Sequence, residues 1–174
     1  MTMSTAAART LRELERLTVD GLDSQTFRRA ALERIRRVVP VDAAWFATAD
    51  PTTLLFTSAV ADDVLRPHAA LFLQNEFLAN DVNQFRNLVD PGAIVGTLDG
   101  QTDGRRDRSP RFRDILEPLA LGDELRVALL EGGHCWGLPV LASRSWPWLC
   151  GRGGGVPAPG EQTPRTRSAS RAAA

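Results

Sequence analysis

The chain contains no lysine and no tyrosine, and all 21 of its basic residues are arginine. GC-rich codons alone produce that bias, so it says little about function. Long apolar runs are missing too. None approaches the roughly 20 residues of a membrane-spanning helix. The N-terminal stretch MTMSTAAARTLRELERL lacks the apolar core of a secretion signal. The expected location is the cytoplasm. Cysteine is scarce: Cys135 and Cys150 make no disulfide framework, and adding His68 and His134 gives no zinc-ligand spacing. An excess of charge of one sign is also lacking, since 21 arginines balance 21 acidic residues. The body therefore has no basic field for nucleic acid. Gly151–Gly155 lacks the Lys-Ser/Thr of a phosphate loop. No cofactor, no metal and no catalytic grouping is expected.

What is present is enough chain for one domain, 174 residues. Its charge is unevenly spread. Residues 1–137 carry 16 arginines against 20 acidic residues, whereas residues 138–174 carry 5 against Glu161 alone. Helices are expected over 5–18, with Ala7, Leu11, Leu14 and Leu17 on one face, and over 24–39, with Phe27, Ala31, Ile35 and Val38 inward. Asp23 or Ser24 caps the second and Pro40 ends it. Strands Ala43–Ala49 and Leu54–Val60 flank an Asp50-Pro51 turn. A long helix follows from Asp62 to Leu78, a short one over Asp81–Leu88, and a brief strand at Ile94-Val95. Residues 97–109 read as a polar loop, and Ser109-Pro110 starts a short helix. ELRVALLE (124–131) is a strand, Gly132-Gly133 a turn, and His134–Ser143 its partner. This order implies an α+β fold, an antiparallel sheet flanked by helices, because strand and helix do not alternate as in a doubly wound sheet.

Few residues invite chemistry. His134 and Cys135 are adjacent on a strand and point to opposite faces, so they make no nucleophile–base pair. Asp62-Asp63 and Asp123-Glu124 read as helix-start and turn residues. DGRRDRSPRFRD (103–114) reads as a solvated loop, and Arg126 as pointing outward from its strand. Trp45, Phe72, Phe85 and Trp136 are aromatics that could line a small-molecule pocket between sheet and helices, against the plainer reading that they are core.

Three local patterns carry a resemblance: the helix leading into VDAAWFATADPTT, the helix pair marked by Glu76, Phe77, Leu78, Asp81, Asn83, Phe85 and Leu88, and GDELRVALLEGGHCWG. Together they resemble the N-terminal GAF-like sensor domain of actinobacterial LuxR-type transcription regulators, over residues 10–137. The resemblance implies a regulatory domain that binds a small-molecule effector or dimerises, with Trp45, Phe72, Phe85 and Trp136 as ligand-binding candidates and the amphipathic first helix as a homodimer contact. Such regulators continue into a further strand, a Glu/Ala-rich helix and a DNA-binding helix-turn-helix domain. No helix-turn-helix pattern follows here, so this chain is expected to make no direct contact with nucleic acid. The pattern expected after Gly137 gives way to a segment rich in Arg, Pro and Gly. Trp146-Pro147-Trp148 must be encoded TGG CCN TGG, and one base later that frame reads Gly-x-Gly before codons of Glu/Ala type. A frameshift near Gly137 is therefore expected, with a native tail as the alternative; either way the sensor domain spans 1–145, left incomplete at its C-terminal end, and a disordered tail spans 146–174. A truncated remnant without activity and a small-molecule enzyme are the competing readings.

Overall fold

The computed structural model describes residues 4–89 and 94–146. Two capped helices come first. Ser4 accepts the Ala7 N–H at the start of α1 (Thr5–Leu17), and Asp23 accepts from Gln25 and Thr26 at the start of α2 (Ser24–Ile35). Both satisfy amide donors that a helix start leaves free. α1 turns Thr10, Leu14 and Leu17 inward; Leu11, expected on that face, is exposed. α2 ends at Ile35, short of the expected stop, and turns carry the chain to Pro40.

The strands are β1 (Ala43–Ala49), β2 (Phe56–Ala61), β3 (Val95–Thr97), β4 (Asp123–Val127), β5 (Leu129–Glu131) and β6 (His134–Ser143). They form one antiparallel sheet in the order β2-β1-β6-β4-β3, with β5 pairing the start of β6. The expected α+β class is what forms. On one face α1 and α2 bury Leu17, Ala31 and Leu32 against Ala44, Phe46, Val60 and Leu141. On the other face lie α3 (Ala69–Phe77), α4 (Phe85–Leu88), α5 (Leu98–Gln101) and a π-helical turn over Phe112–Leu116. These bury Phe72, Phe85, Leu98, Ile115 and Leu116 against Trp45, Leu138 and Val140. Residues alternate between the two layers along β1, as the two-residue period of a strand requires.

Several expectations change. The helix expected from Asp62 begins only at Ala69, because Pro67 sits in a separate 3-10 turn, Arg66–His68. Asp62 does not start a helix; its carboxylate accepts the Ala44 N–H and pairs with Arg36. Only Phe85–Leu88 of the expected 81–88 helix is helical. The 97–109 loop contains α5, capped by the Thr97 hydroxyl. The 124–131 strand breaks at Ala128 into β4 and β5.

The strand expected over His134–Ser143 is found with those bounds. β6 runs unbroken to Ser143, paired with β1 on one side and β4 on the other. Leu138, Val140, Leu141 and Ala142 are buried. Trp146 closes this run: it is buried in the α1–α2 layer and its Nε1–H donates to the Pro40 carbonyl at 2.7 Å. Beyond Trp146, the expected disordered tail lies outside the described residues, as does Cys150.

Trp146→Ala removes a large buried ring and its hydrogen bond, so unfolding free energy measured by denaturant titration is expected to fall by about 3–5 kcal/mol. A change under 1 kcal/mol would show that residues after Gly137 are not part of the fold.

Candidate functional site

The face of the sheet beneath α3 is built from cross-strand rows. Arg126 on β4 pairs with Val140 on β6, which pairs with Trp45 on β1; Glu124 pairs with Ala142, and Ala142 with Ala43. Small residues thus separate an aromatic end from a charged end. α3 repeats the division. Phe72 and Glu76 are one turn apart and share a helix face. Phe72 stacks on Trp45, with ring centroids 5.6 Å apart and planes at 21°. Glu76 reaches the charged end, where its Oε2 accepts the Arg126 Nη1–H at 2.6 Å.

At that end two arginines and three carboxylates are fully enclosed. Glu124 Oε1 accepts Nε–H from Arg111 at 2.9 Å and from Arg126 at 2.8 Å. Arg111 also donates from Nη1 to Asn75 Oδ1 at 2.8 Å and from Nη2 to the Val82 carbonyl, and pairs with Asp81 at 3.3 Å. Asp81 accepts from Asn75, from the Ser109 hydroxyl and from the Arg111 amide. Glu76 Oε1 accepts the Phe85 amide, and the Gln84 side-chain amide donates to the carbonyls of Asn75, Glu76 and Ala79. Gln84 therefore satisfies orphan acceptors at the C-terminal end of α3. The Arg126 guanidinium lies 4.9 Å from the centre of the Phe85 ring, a cation–π contact joining the charged end to the aromatic one. Asn83, in the left-handed region at φ 54°, packs against β3; a Cβ on Gly96 would come within 2.3 Å of its Oδ1. Only glycine fits at that row position.

Ionisation follows from these contacts. Burial pushes the Asp81 carboxyl up, but the Arg111 charge and three donated hydrogen bonds outweigh it and hold the group below its ordinary value. Burial opposes the charge on Arg126, yet Glu124 and Glu76 raise its pKa above the usual arginine value. Burial and the Arg126 charge lower that of Arg111. Asp123, buried beside the network, is pushed up by burial. Its Oδ2 and the Oε2 of Glu124 are enclosed with no hydrogen-bond partner among the described residues.

Three of the four aromatic candidates come together. Trp45, Phe72 and Phe85 share one buried cluster, where Phe56 packs edge-on to Phe85. Trp136 does not join them. It is 53% exposed on β6, beside His134 and across the strand from buried Cys135. A surface cleft of about 220 Å³ runs on the other side of α3, between Leu71, Leu78 and Ala79 and the segment Pro110–Ile115, with Asn75 and Arg111 at its floor.

The charged network reverses three readings of the sequence. Arg126 points inward, because Glu76 and Glu124 receive it. Glu124 is a strand residue at the centre of the network and no turn acid. The 103–114 segment is not all solvated, for Ser109 and Arg111 are its buried anchor. The period-two alternation of ELRV was read with the apolar residues inward, but Glu124 and Arg126 are the enclosed side chains of β4 and Leu125 and Val127 are only half-buried. The signal available was the recurrence of acids within apolar stretches, Glu76 in LFLQNEFL above all. Among the described residues, no group of three or more His, Cys, Asp or Glu side chains could hold a metal, and no helix is long and apolar enough to cross a membrane.

A solved structure has this architecture. The ligand-binding domain of VqsR from Pseudomonas aeruginosa superposes with a TM-score of 0.52 at 18% identity, over 82% of this chain and 83% of that one. The likeness is one of fold. No family model and no curated protein matches the sequence itself.

Arg126→Met leaves Glu76 and Glu124 enclosed without their cation. Unfolding free energy is expected to drop by about 3–5 kcal/mol, with much of the loss recovered in the triple variant that adds Glu76→Gln and Glu124→Gln. Asp81 sets an acid limb. Its folded pKa lies below the unfolded value of about 3.8, so its contribution is complete above that pH and is lost as pH falls further. Stability measured from pH 6 to pH 2 is expected to decline less steeply in Asp81→Asn than in the wild type.

Proposed function

We propose that this chain is the sensory domain of a LuxR-type transcription regulator and binds a small-molecule effector between α3 and the sheet. The observation that carries the reading is the fold it shares with the VqsR ligand-binding domain over most of both chains. The sequence patterns around Trp45, Glu76–Leu88 and 122–137 support it independently, through their resemblance to GAF-like sensor domains of actinobacterial LuxR-type regulators.

The site suits binding better than catalysis. Its arginines and acids are committed to one another, so none stands ready as an acid, base or nucleophile. Trp45, Phe72 and Phe85 supply the apolar wall that a ligand site needs, and the ion network fixes the helix that carries Phe72. Effector binding shifts how α3 sits on the sheet, and that shift is the signal. In this reading the domain works in the cytoplasm, with DNA bound by a helix-turn-helix unit that is not part of the described residues. α1, whose Leu11 is exposed, offers a contact for a second copy. A remnant without activity is the weaker alternative, because β6 is paired along both edges.

A metabolite library screened by thermal shift tests the proposal. At least one compound is expected to raise the melting temperature by roughly 5–10 °C at a hundred times its dissociation constant. The same compound should change the fluorescence of the wild type and leave Trp45→Phe nearly unresponsive, and Phe72→Ala should weaken it at least tenfold. Failure of every compound to shift melting or Trp45 emission would count against a sensory role.

A further inference from the structure

Two of the three enclosed carboxylates beneath α3 accept hydrogen bonds at both oxygens. Asp81 accepts the Val82 amide at Oδ1 and donors of Asn75, Ser109 and Arg111 at Oδ2. Glu76 accepts the Phe85 amide at one oxygen and Arg126 at the other. Glu124 differs. It accepts twice at Oε1 and, among the described residues, not at all at Oε2, which is shut away from solvent. The formal charge is unbalanced in the same direction. Three carboxylates meet two guanidinium groups, so one negative charge is in excess where none of the five residues is more than 9% exposed.

An enclosed charge without a counterpart is costly unless a donor or a cation reaches it. The chain's own cations nearby are engaged elsewhere: Arg86 ends on Gln84 Oε1 and Arg106 on Asp99. Glu124's own row supplies nothing, because Ala142 and Ala43 follow it across β6 and β1 and a methyl group donates no hydrogen bond. The next row on this face is Arg126, Val140 and Trp45, and the Arg126 guanidinium lies over Phe85. An acid with one free oxygen therefore stands one row from the aromatic cluster. β4 and β1 are two strand spacings apart, about 10 Å, a distance that one small molecule spans.

We propose, resting on the sensory role proposed for the domain, that the effector is a small primary amine with an apolar body. Its ammonium group donates to Glu124 Oε2 and supplies the missing positive charge, while its body lies along Trp45 and Phe72. A neutral donor fills the bond but leaves the charge, and an anion adds to it. The aromatic rings strengthen the preference, because their faces attract a cation. Asp123 also has an enclosed oxygen without a partner, but it is the next residue on β4 and so points to the other face of the sheet. It serves as a control for negative charge in general.

Titration calorimetry on the full chain tests this with phenethylamine, phenethyl alcohol and phenylacetate, probes of similar size that are cationic, neutral and anionic at neutral pH. Phenethylamine is expected to bind roughly tenfold or more tightly than the other two. Glu124→Gln should bring all three within about threefold of one another, and Asp123→Asn should keep the preference for the amine. The comparison of head groups is made on the wild type, so it stands even if Glu124→Gln fails to fold. Equal or tighter binding of the alcohol or the acid overturns the amine class and leaves the sensory role in place. A preference that survives Glu124→Gln and disappears in Asp123→Asn also overturns it. So does phenethylamine that fails to bind at millimolar concentration. A melting shift by a compound without an amine in the metabolite library then keeps the sensory role, whereas a silent library removes both.

Discussion

One carboxylate oxygen holds this fold together. Glu124 Oε1 accepts two guanidinium N–H groups at once, from Arg111 and from Arg126, with all three side chains shut away from water. Each arginine then binds an acid from a different part of the chain, Arg126 to Glu76 on α3 and Arg111 to Asp81 beyond its end. Charges are expensive to enclose, and the arrangement holds only because nearly every donor and acceptor is matched. A chain of ion pairs thus runs from the 109–116 segment through β4 to α3. Elements that hydrophobic contact alone would leave free to slide are fixed in register.

The apolar half depends on that anchoring. Phe72 stacks on Trp45 because Glu76, one turn further along the same helix, is pinned to Arg126. Phe85 is placed twice, by the Glu76 carboxylate on its amide and by the Arg126 guanidinium over its ring. Gly96 leaves room for Asn83, and Gln84 finishes the helix that the whole assembly steers. Aromatic wall and charged lock are therefore coupled through Glu76 and Arg126.

The sequence made some of this legible. β1 and β6 were readable to the residue, since their apolar runs end at clear turn signals. Asp23 was readable as a cap, and Trp45, Phe72 and Phe85 as members of one cluster. The network was not. A single sequence shows Arg126 as a charged residue on an apolar strand, and nothing local reveals that Glu76, 50 positions away, is its partner. Trp136 was misplaced by a bulge, which period-two reasoning cannot foresee.

The central claim is that Arg111 and Arg126 are locked beneath α3. Hydrogen exchange of the arginine Nε–H groups at neutral pH, followed by ¹⁵N NMR, measures this directly. The account predicts two protected Nε–H signals that exchange orders of magnitude more slowly than those of exposed arginines such as Arg12 and Arg105. Exchange at Arg111 and Arg126 as fast as at those exposed positions would contradict it.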